Sequence, residues 1–219
     1  MSMDYLLNAQ ESRDENNTFG IVIGLVTSNN DPDKLGRVRV KFPWRANEDE
    51  SFWARIISPM TGNDRGMVFY PEVGDEVLVA FEQGDINHPY ILGGLWNGKD
   101  KPPETNDDGK NNIRLIKSRS GHEIIFNDDN TTMKEKIEIH TKKGHKILLD
   151  DSAGGEKIEV VDKSGNNKIT IDSMQNSINI ESTMQLKIKS QMIEIESGGM
   201  LTIKASGVLT LQGSLIKIN

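Results

Sequence analysis

Apolar residues return through the C-terminal half of this chain in pairs separated by a single residue. Between Met174 and Asn219 the pairs are Ile178/Ile180, Leu186/Ile188, Ile193/Ile195, Leu201/Ile203, Leu209/Leu211 and Ile216/Ile218, each followed by small polar residues. Successive pairs start eight, seven, eight, eight and seven residues apart. Spacing of i, i+2 puts both members of a pair on one face of a strand. A fixed short period predicts stacked repeats. Upstream the same phrase recurs at Ile124/Phe126, Ile137/Ile139, Ile147/Leu149, Ile158/Val160 and Ile169/Ile171, with starts nine to thirteen residues apart. A period that shortens along the chain predicts shorter strands or tighter turns, and so an object that tapers toward its C-terminus.

A stripe two side chains wide encloses no core by itself, and its strands leave rows of unpaired edge groups. Wrapping several identical chains around one axis buries every stripe and pairs every edge. The spacing does not state how many chains. A single-chain right-handed β-helix is the alternative, but its coils need about twenty or more residues and several faces each. This region offers one narrow face per seven or eight residues.

The N-terminal half has a different texture. FGIVIGLVTS is a β-branched run, and RVRVKFPW after the turn NNDPDKLG alternates. The alternation sets Val38, Val40 and Phe42 on one face and Arg37, Arg39 and Lys41 on the other. With SFWARIISP, RGMVFYPEVGDEVLVAFEQGD and HPYILGGLWNG this predicts five or six strands with Gly, Pro, Asn and Asp turns, the size of an OB-fold barrel. The domains predicted are therefore an arm at 1–18, the OB-fold at 19–98, a polar Pro-containing linker at 99–111 and a repeat shaft at 112–219. In the arm, the short apolar patch Tyr5, Leu6 and Leu7 reads either as part of a solvated tail or as a peg for a neighbouring subunit.

Composition sharpens the class. Of 219 residues 35% are apolar and 5% aromatic, and no long pattern of period 3.6 exists, so the chain is predicted to be all-β. A net charge of −7 argues against nucleic acid as partner, and the Arg37/Arg39/Lys41 face beside Trp44 is expected to be solvated or protein-facing. No cysteine is present for disulfides or thiolate metal sites. The N-terminus lacks the basic start and apolar run of a signal peptide.

Chemistry is hard to place. His88, His122, His140 and His145 fall in no metal-binding spacing. The doublets Asp128/Asp129 and Asp150/Asp151 lie at repeat turns, where neighbouring carboxylates point apart. No catalytic, cofactor-binding or metal-ligating residue is expected, no cofactor, and no enzyme activity.

The stretch GRVRVKFPW followed by SFWARIISPMTGNDRGMVFYPEVGDEVLVAFEQGDINHPYILGGLWNG resembles the OB domain of the VgrG and phage-baseplate spike family. Pro71, Gly74, Glu76, Val77, Phe81, Gly84, Asp85, Pro89, Gly93, Asn97 and Gly98 sit where that family's pattern puts them. The resemblance implies an OB-fold collar followed by an intertwined three-chain β-helix. Ile178, Ile180, Leu186, Ile188, Ile193, Ile195, Leu201, Ile203, Leu209 and Leu211 would then form the core of a homotrimer. Ile216, Ile218 and Asn219 would contact a PAAR-type tip protein, and a baseplate hub protein would sit above the OB domain. The implied function is a membrane-puncturing needle in a contractile injection system, phage-tail-like particle or type VI apparatus. Such a needle is assembled in the bacterial cytoplasm and ends at the particle's distal tip, in transient contact with a target membrane. VgrG proteins carry a large hub domain before the barrel. Fewer than twenty residues stand there in this sequence, which favours the phage-baseplate style. Two other functions stay open from the residues alone: a glycan-binding or glycan-cleaving tail fibre, and an OB-fold nucleic-acid binder with a trimerisation stalk.

Overall fold

A computed structural model describes residues 20–45 and 50–218. The arm at 1–18 and Asn219 lie outside the described residues. Among the described residues the regular elements are all strands. The chain divides into two compact units, Met1–Thr105 and Asn106–Asn219, and the break falls inside the Pro-containing stretch 99–111.

In the first unit β1 is Ile21–Ser28, β2 Arg39–Lys41, β3 Arg55–Ile56, β4 Thr61–Gly62, β5 Arg65–Gly66, β6 Glu76–Glu82 and β7 Asp85–Gly94. Five of them form one sheet in the order β2-β1-β6-β7-β3, and β4 pairs with β5 as a small hairpin. All pairings are antiparallel except β3 with β7. Bridges from Val38 to Ala54 and from Lys41 to Glu50 join the two ends of the sheet. The sheet thereby curls into a closed five-stranded ring with one parallel contact, as in an OB-fold.

Alternation decides what fills the ring. Val38, Val40, Val77 and Val79 are fully buried, and Phe42, Phe81 and Ile91 nearly so. Phe42 meets Phe81 edge-on at 5.7 Å between ring centres and stacks on Trp44 at 5.5 Å. The barrel is narrow where β1 crosses it. A methyl group added at Gly24 would lie 3.2 Å from Val40 and from Val79, so that position takes no side chain without displacing the core. Pro89, which the sequence places at a strand start, lies inside β7. The pairing jumps from Glu82↔Asp85 to Phe81↔Pro89, so a bulge over residues 86–88 precedes it and Pro89 opens the regular ladder.

The β1–β2 loop is tied by one carboxylate. Asp31 accepts hydrogen bonds from the backbone N–H groups of Asp33, Leu35 and Arg37 at 3.1, 3.0 and 3.3 Å. It also takes both arms of the Arg37 guanidinium, at 2.8 and 2.7 Å. These donors hold the Asp31 carboxyl far below the usual carboxylate range. Arg37 also reaches Asp33 at 2.6 Å, and Arg39 pairs with Glu50 at 3.1 Å while lying 5.0 Å over the Trp53 ring. Two of the three cations on the predicted basic face are thus occupied by carboxylates and an aromatic ring.

A carboxylate whose folded pKa is depressed stabilises the fold above its unfolded value, about 3.9 for Asp, and loses that contribution as pH falls below it. Asp31→Asn is therefore expected to lower the first unit's thermal midpoint at pH 7. Its midpoint should then fall less steeply than the wild type's as the pH drops from 5 to 2. Differential scanning calorimetry across that series checks both slopes.

Candidate functional site

The second unit is one sheet. Its strands are β8 Ile113–Lys117, β9 Glu123–Asn127, β10 Lys136–His140, β11 Lys146–Asp150, β12 Lys157–Val161, β13 Asn167–Asp172 and β14 Ser177–Ser182. They pair antiparallel with their sequence neighbours from β8 to β14. A recurrent turn makes the hairpins at one end. Ser118-x-x-Gly121, Thr141-x-x-Gly144 and Asp162-x-x-Gly165 share a first residue that accepts a hydrogen bond from its own turn. The Ser118 and Thr141 hydroxyls take the His122 and His145 N–H groups at 3.0 and 3.2 Å, and the Asp162 carboxylate takes Asn167 N–H at 3.2 Å. Each glycine has positive φ, 86°, 96° and 76°, a backbone state that side chains resist.

Register then assembles the apolar pairs. Ile116, Ile124, Ile139, Ile147, Val160, Ile169 and Ile180 follow one another as direct cross-strand partners. Phe126, Ile137, Leu149, Ile158, Ile171 and Ile178 form a second lane beside the first. Two continuous lanes of mostly β-branched side chains thus cross the sheet on one face, the contacts that stabilise neighbouring strands. Among the described residues nothing covers them: they are 37–69% exposed.

The opposite face is polar, apart from a few residues such as Leu148, which is nearly buried at 4%. Lys117 meets Glu123 at 2.7 Å, and His140 lies 3.3 Å from the same carboxylate. Hydrogen bonding from Lys117 holds Glu123 below its ordinary pKa. Lys146 and Lys157 approach Glu159 at 3.9 and 4.0 Å, and Lys168 reaches Glu181 at 3.4 Å. Exposed pairs of this kind add about 0–1 kcal/mol each, so this face keeps the sheet solvated more than it stabilises it.

The residues expected to build a core divide into two groups. Ile178 and Ile180 lie in β14 and end the two lanes. Leu186, Ile188, Ile193, Ile195, Leu201, Ile203, Leu209 and Leu211 follow β14 in no strand and are 51–69% exposed. Ile216 and Ile218 are exposed too, and Asn219 lies outside the described residues. Strands β10 to β14 start ten or eleven residues apart, room for a five-residue strand and a braced turn. At seven or eight residues per repeat, that hairpin no longer fits. The predicted early coils are therefore hairpins paired within one chain, and β14 is left as a sheet edge.

The carboxylate doublets serve turns. Asp129 accepts from the hydroxyls and N–H groups of Thr131 and Thr132, which hold it at about 2, and Asp150 accepts from Ser152 at 3.0 and 2.5 Å. Asp128 pairs with Arg114. Among the histidines, His145 accepts the Lys163 N–H at 3.2 Å and His88 lies 2.9 Å from Asp85. Among the described residues, no three His, Cys, Asp or Glu side chains gather as a metal site. The periodic turn brace and the charged face went unnoticed in the sequence. The spacing of Ser118, Thr141 and Asp162 against their glycines was the signal for the first.

Residues 22–96 match the family described as the type VI secretion system/phage-baseplate injector OB domain. The closed ring of β1, β2, β3, β6 and β7 coincides with the matched residues. The first unit is therefore similar to the injector OB domain found in VgrG-like spike proteins. The chain is 32% identical over 127 residues to the actin cross-linking toxin VgrG1 of Vibrio cholerae serotype O1, covering 54% of this chain and 11% of that protein. It is 32% identical over 126 residues to the type VI secretion system spike protein VgrG3 of the same species, covering 54% and 12%. With the spike protein VgrG1a of Pseudomonas aeruginosa it shares 28% identity over 130 residues, covering 55% and 20%. The matched region spans a fifth or less of each of these relatives.

Placing a Cβ at a position with φ of 96° costs about 1–3 kcal/mol of backbone strain. Gly144→Ala is therefore expected to destabilise the second unit by that amount. Chemical denaturation followed by far-UV circular dichroism measures it.

Proposed function

We propose that this chain is the needle of a contractile injection apparatus and that it works as a homotrimer. One observation carries the proposal: two unbroken apolar lanes, one over seven strands and one over six, cross the sheet uncovered among the described residues and are followed by ten more exposed Leu and Ile residues in pairs. Monomeric proteins rarely expose contiguous apolar surface of this kind. Three copies around one axis turn each lane inward, and the terminal pairs find strand partners on neighbouring chains that they lack in their own. The spike proteins among the relatives support the same assignment.

The role is mechanical, with no reaction assigned to it. Thrust along the needle is resisted by backbone hydrogen bonds between chains and by side chains locked on the axis. The OB domain engages a baseplate hub protein. Ile216, Ile218 and Asn219 seat a PAAR-type tip protein, and the assembled tip meets the target membrane. Assembly takes place in the cytoplasm of the producing cell, and the needle then rides at the distal end of the particle.

Light scattering on the full chain is expected to give three times the 24.5 kDa chain mass. A monomer at micromolar concentration would overturn the proposal. Fully burying an isoleucine is worth about 1.5–3 kcal/mol, and a buried unpaired carboxylate costs several more, each counted three times over. Ile158→Asp and Ile195→Asp are therefore both expected to abolish the trimer, while the first unit keeps its own unfolding transition. A normal trimer from Ile195→Asp would show that the terminal pairs do not face the axis.

A further inference from the structure

The two turn-bearing margins of the second unit's sheet differ in charge. Because β8 to β14 form a simple meander, successive turns fall on opposite sides. One margin holds the turns 118–122, 141–145 and 162–166, with Arg119, Lys142, Lys143 and Lys163 against the single carboxylate of Asp162. The other holds 128–135, 151–156 and 173–176, with Asp128, Asp129, Glu135, Asp151 and Glu156 against the single cation of Lys134. Each margin is a continuous row. Lys142 lies beside Gly121 of the turn before it, 3.7 Å from where a Cβ would stand, and Lys163 lies at the same distance from Gly144. On the acidic side the Asp151 N–H donates to the Glu135 carbonyl at 3.0 Å, and the Ser173 N–H to the Glu156 carbonyl at 3.1 Å. Part of this charge is used within the chain, since Asp128 pairs with Arg114 while Asp129 and Asp162 brace turns. Lys142, Lys143 and Lys163 on one margin, and Glu135, Asp151 and Glu156 on the other, have no oppositely charged partner among the described residues. All six are exposed except Glu135, which is half-buried.

We propose that these margins meet between copies, the basic row of each chain lying against the acidic row of the next. The inference rests on the trimer proposed above. The apolar lanes run across the strands, so an axis parallel to them buries both along their length. Cyclic symmetry about that axis gives every copy the same sense, and each corner then joins one basic margin to one acidic margin. The levels match as well. The turn 151–156 joins β11 to β12, so its level falls midway between the turns 141–145 and 162–166. Asp151 and Glu156 therefore differ in level by about one strand spacing, roughly 4.8 Å, from Lys142 and Lys143 on one side and from Lys163 on the other. Glu135 lies one spacing beyond Lys142 and Lys143 in the opposite direction. A copy inserted upside down would set basic against basic and acidic against acidic. The two rows thus select parallel chains, which the apolar lanes alone do not.

Reversing one margin at a time tests the contact in the full chain. Lys142→Glu with Lys143→Glu and Lys163→Glu makes both margins acidic. Glu135→Lys with Asp151→Lys and Glu156→Lys makes both basic. At about 0.1 M salt each triple variant is expected to raise the concentration of half-dissociation by about tenfold or more, read by sedimentation in enough urea to make the wild-type midpoint measurable. The loss should shrink at about 1 M salt, where the screening length falls from about 10 Å to about 3 Å. Combining all six substitutions restores opposite margins at the wild-type net charge and is expected to return the midpoint to the wild-type value. Should a reversed chain misfold, Gln at the same three lysines removes the attraction without adding repulsion, and a smaller loss in the same direction is expected. A wild-type trimer whose midpoint neither reversal moves would overturn the corner contact and leave the trimer standing. So would a combined variant no better than the triple ones. A monomeric wild type would overturn both.

Discussion

Antiparallel register is the constraint from which the second unit follows. Each strand contributes an apolar i, i+2 pair, and the braced turns return the chain so that pair faces pair. Ile137 meets Phe126 on one side and Leu149 on the other, and the pattern repeats up to Ile178. Side chains in such lanes hold their neighbours laterally, which fixes the sheet without giving it a core. Its two faces consequently differ in kind. One is crossed by Lys–Glu contacts and suits water, and the other is apolar and uncovered.

The two units solve the burial problem in opposite ways. The first closes its sheet through the Val38–Ala54 bridge and the parallel β3–β7 contact, so its valines face one another inside a ring. Two of its surface cations, Arg37 and Arg39, are answered locally by Asp31, Asp33 and Glu50. The second unit stays open, with β14 as a bare edge and its apolar residues facing outward. The closed unit buries its own apolar residues, whereas among the described residues the open one leaves its apolar lanes exposed.

Much of this was legible in the sequence, for physical reasons. The strict alternation around Val38, Val40 and Phe42 can satisfy only a strand with one buried face, and those three side chains are buried. The Ile and Leu pairs announced their common face because a period of two has no helical interpretation. Other features depend on contacts that spacing does not encode. The bulge that puts Pro89 inside β7 comes from the jump in pairing after Phe81. A cleft lined by Ile57, Met67, Phe69 and Gly93 likewise depends on segments far apart in the chain that closure of the ring brings together. The loss of strand structure after Ser182 comes from arithmetic that only the braced turn reveals. A strand and its turn use ten or eleven residues, and the terminal repeats supply fewer.

The braced turn also governs how such a sheet can change in length. Lys146 and Lys168 hold equivalent register positions in strands that run in the same direction, two hairpin arms apart. Deleting or duplicating the segment 146–167 keeps direction and facing in phase. An insertion of one residue within a strand turns every following side chain to the other face and carries isoleucines into the Lys–Glu surface. Growth and shrinkage of this unit are therefore quantised in hairpins of twenty-odd residues, so the sheet acts as a ruler whose divisions are set by a Ser, Thr or Asp three residues before a glycine.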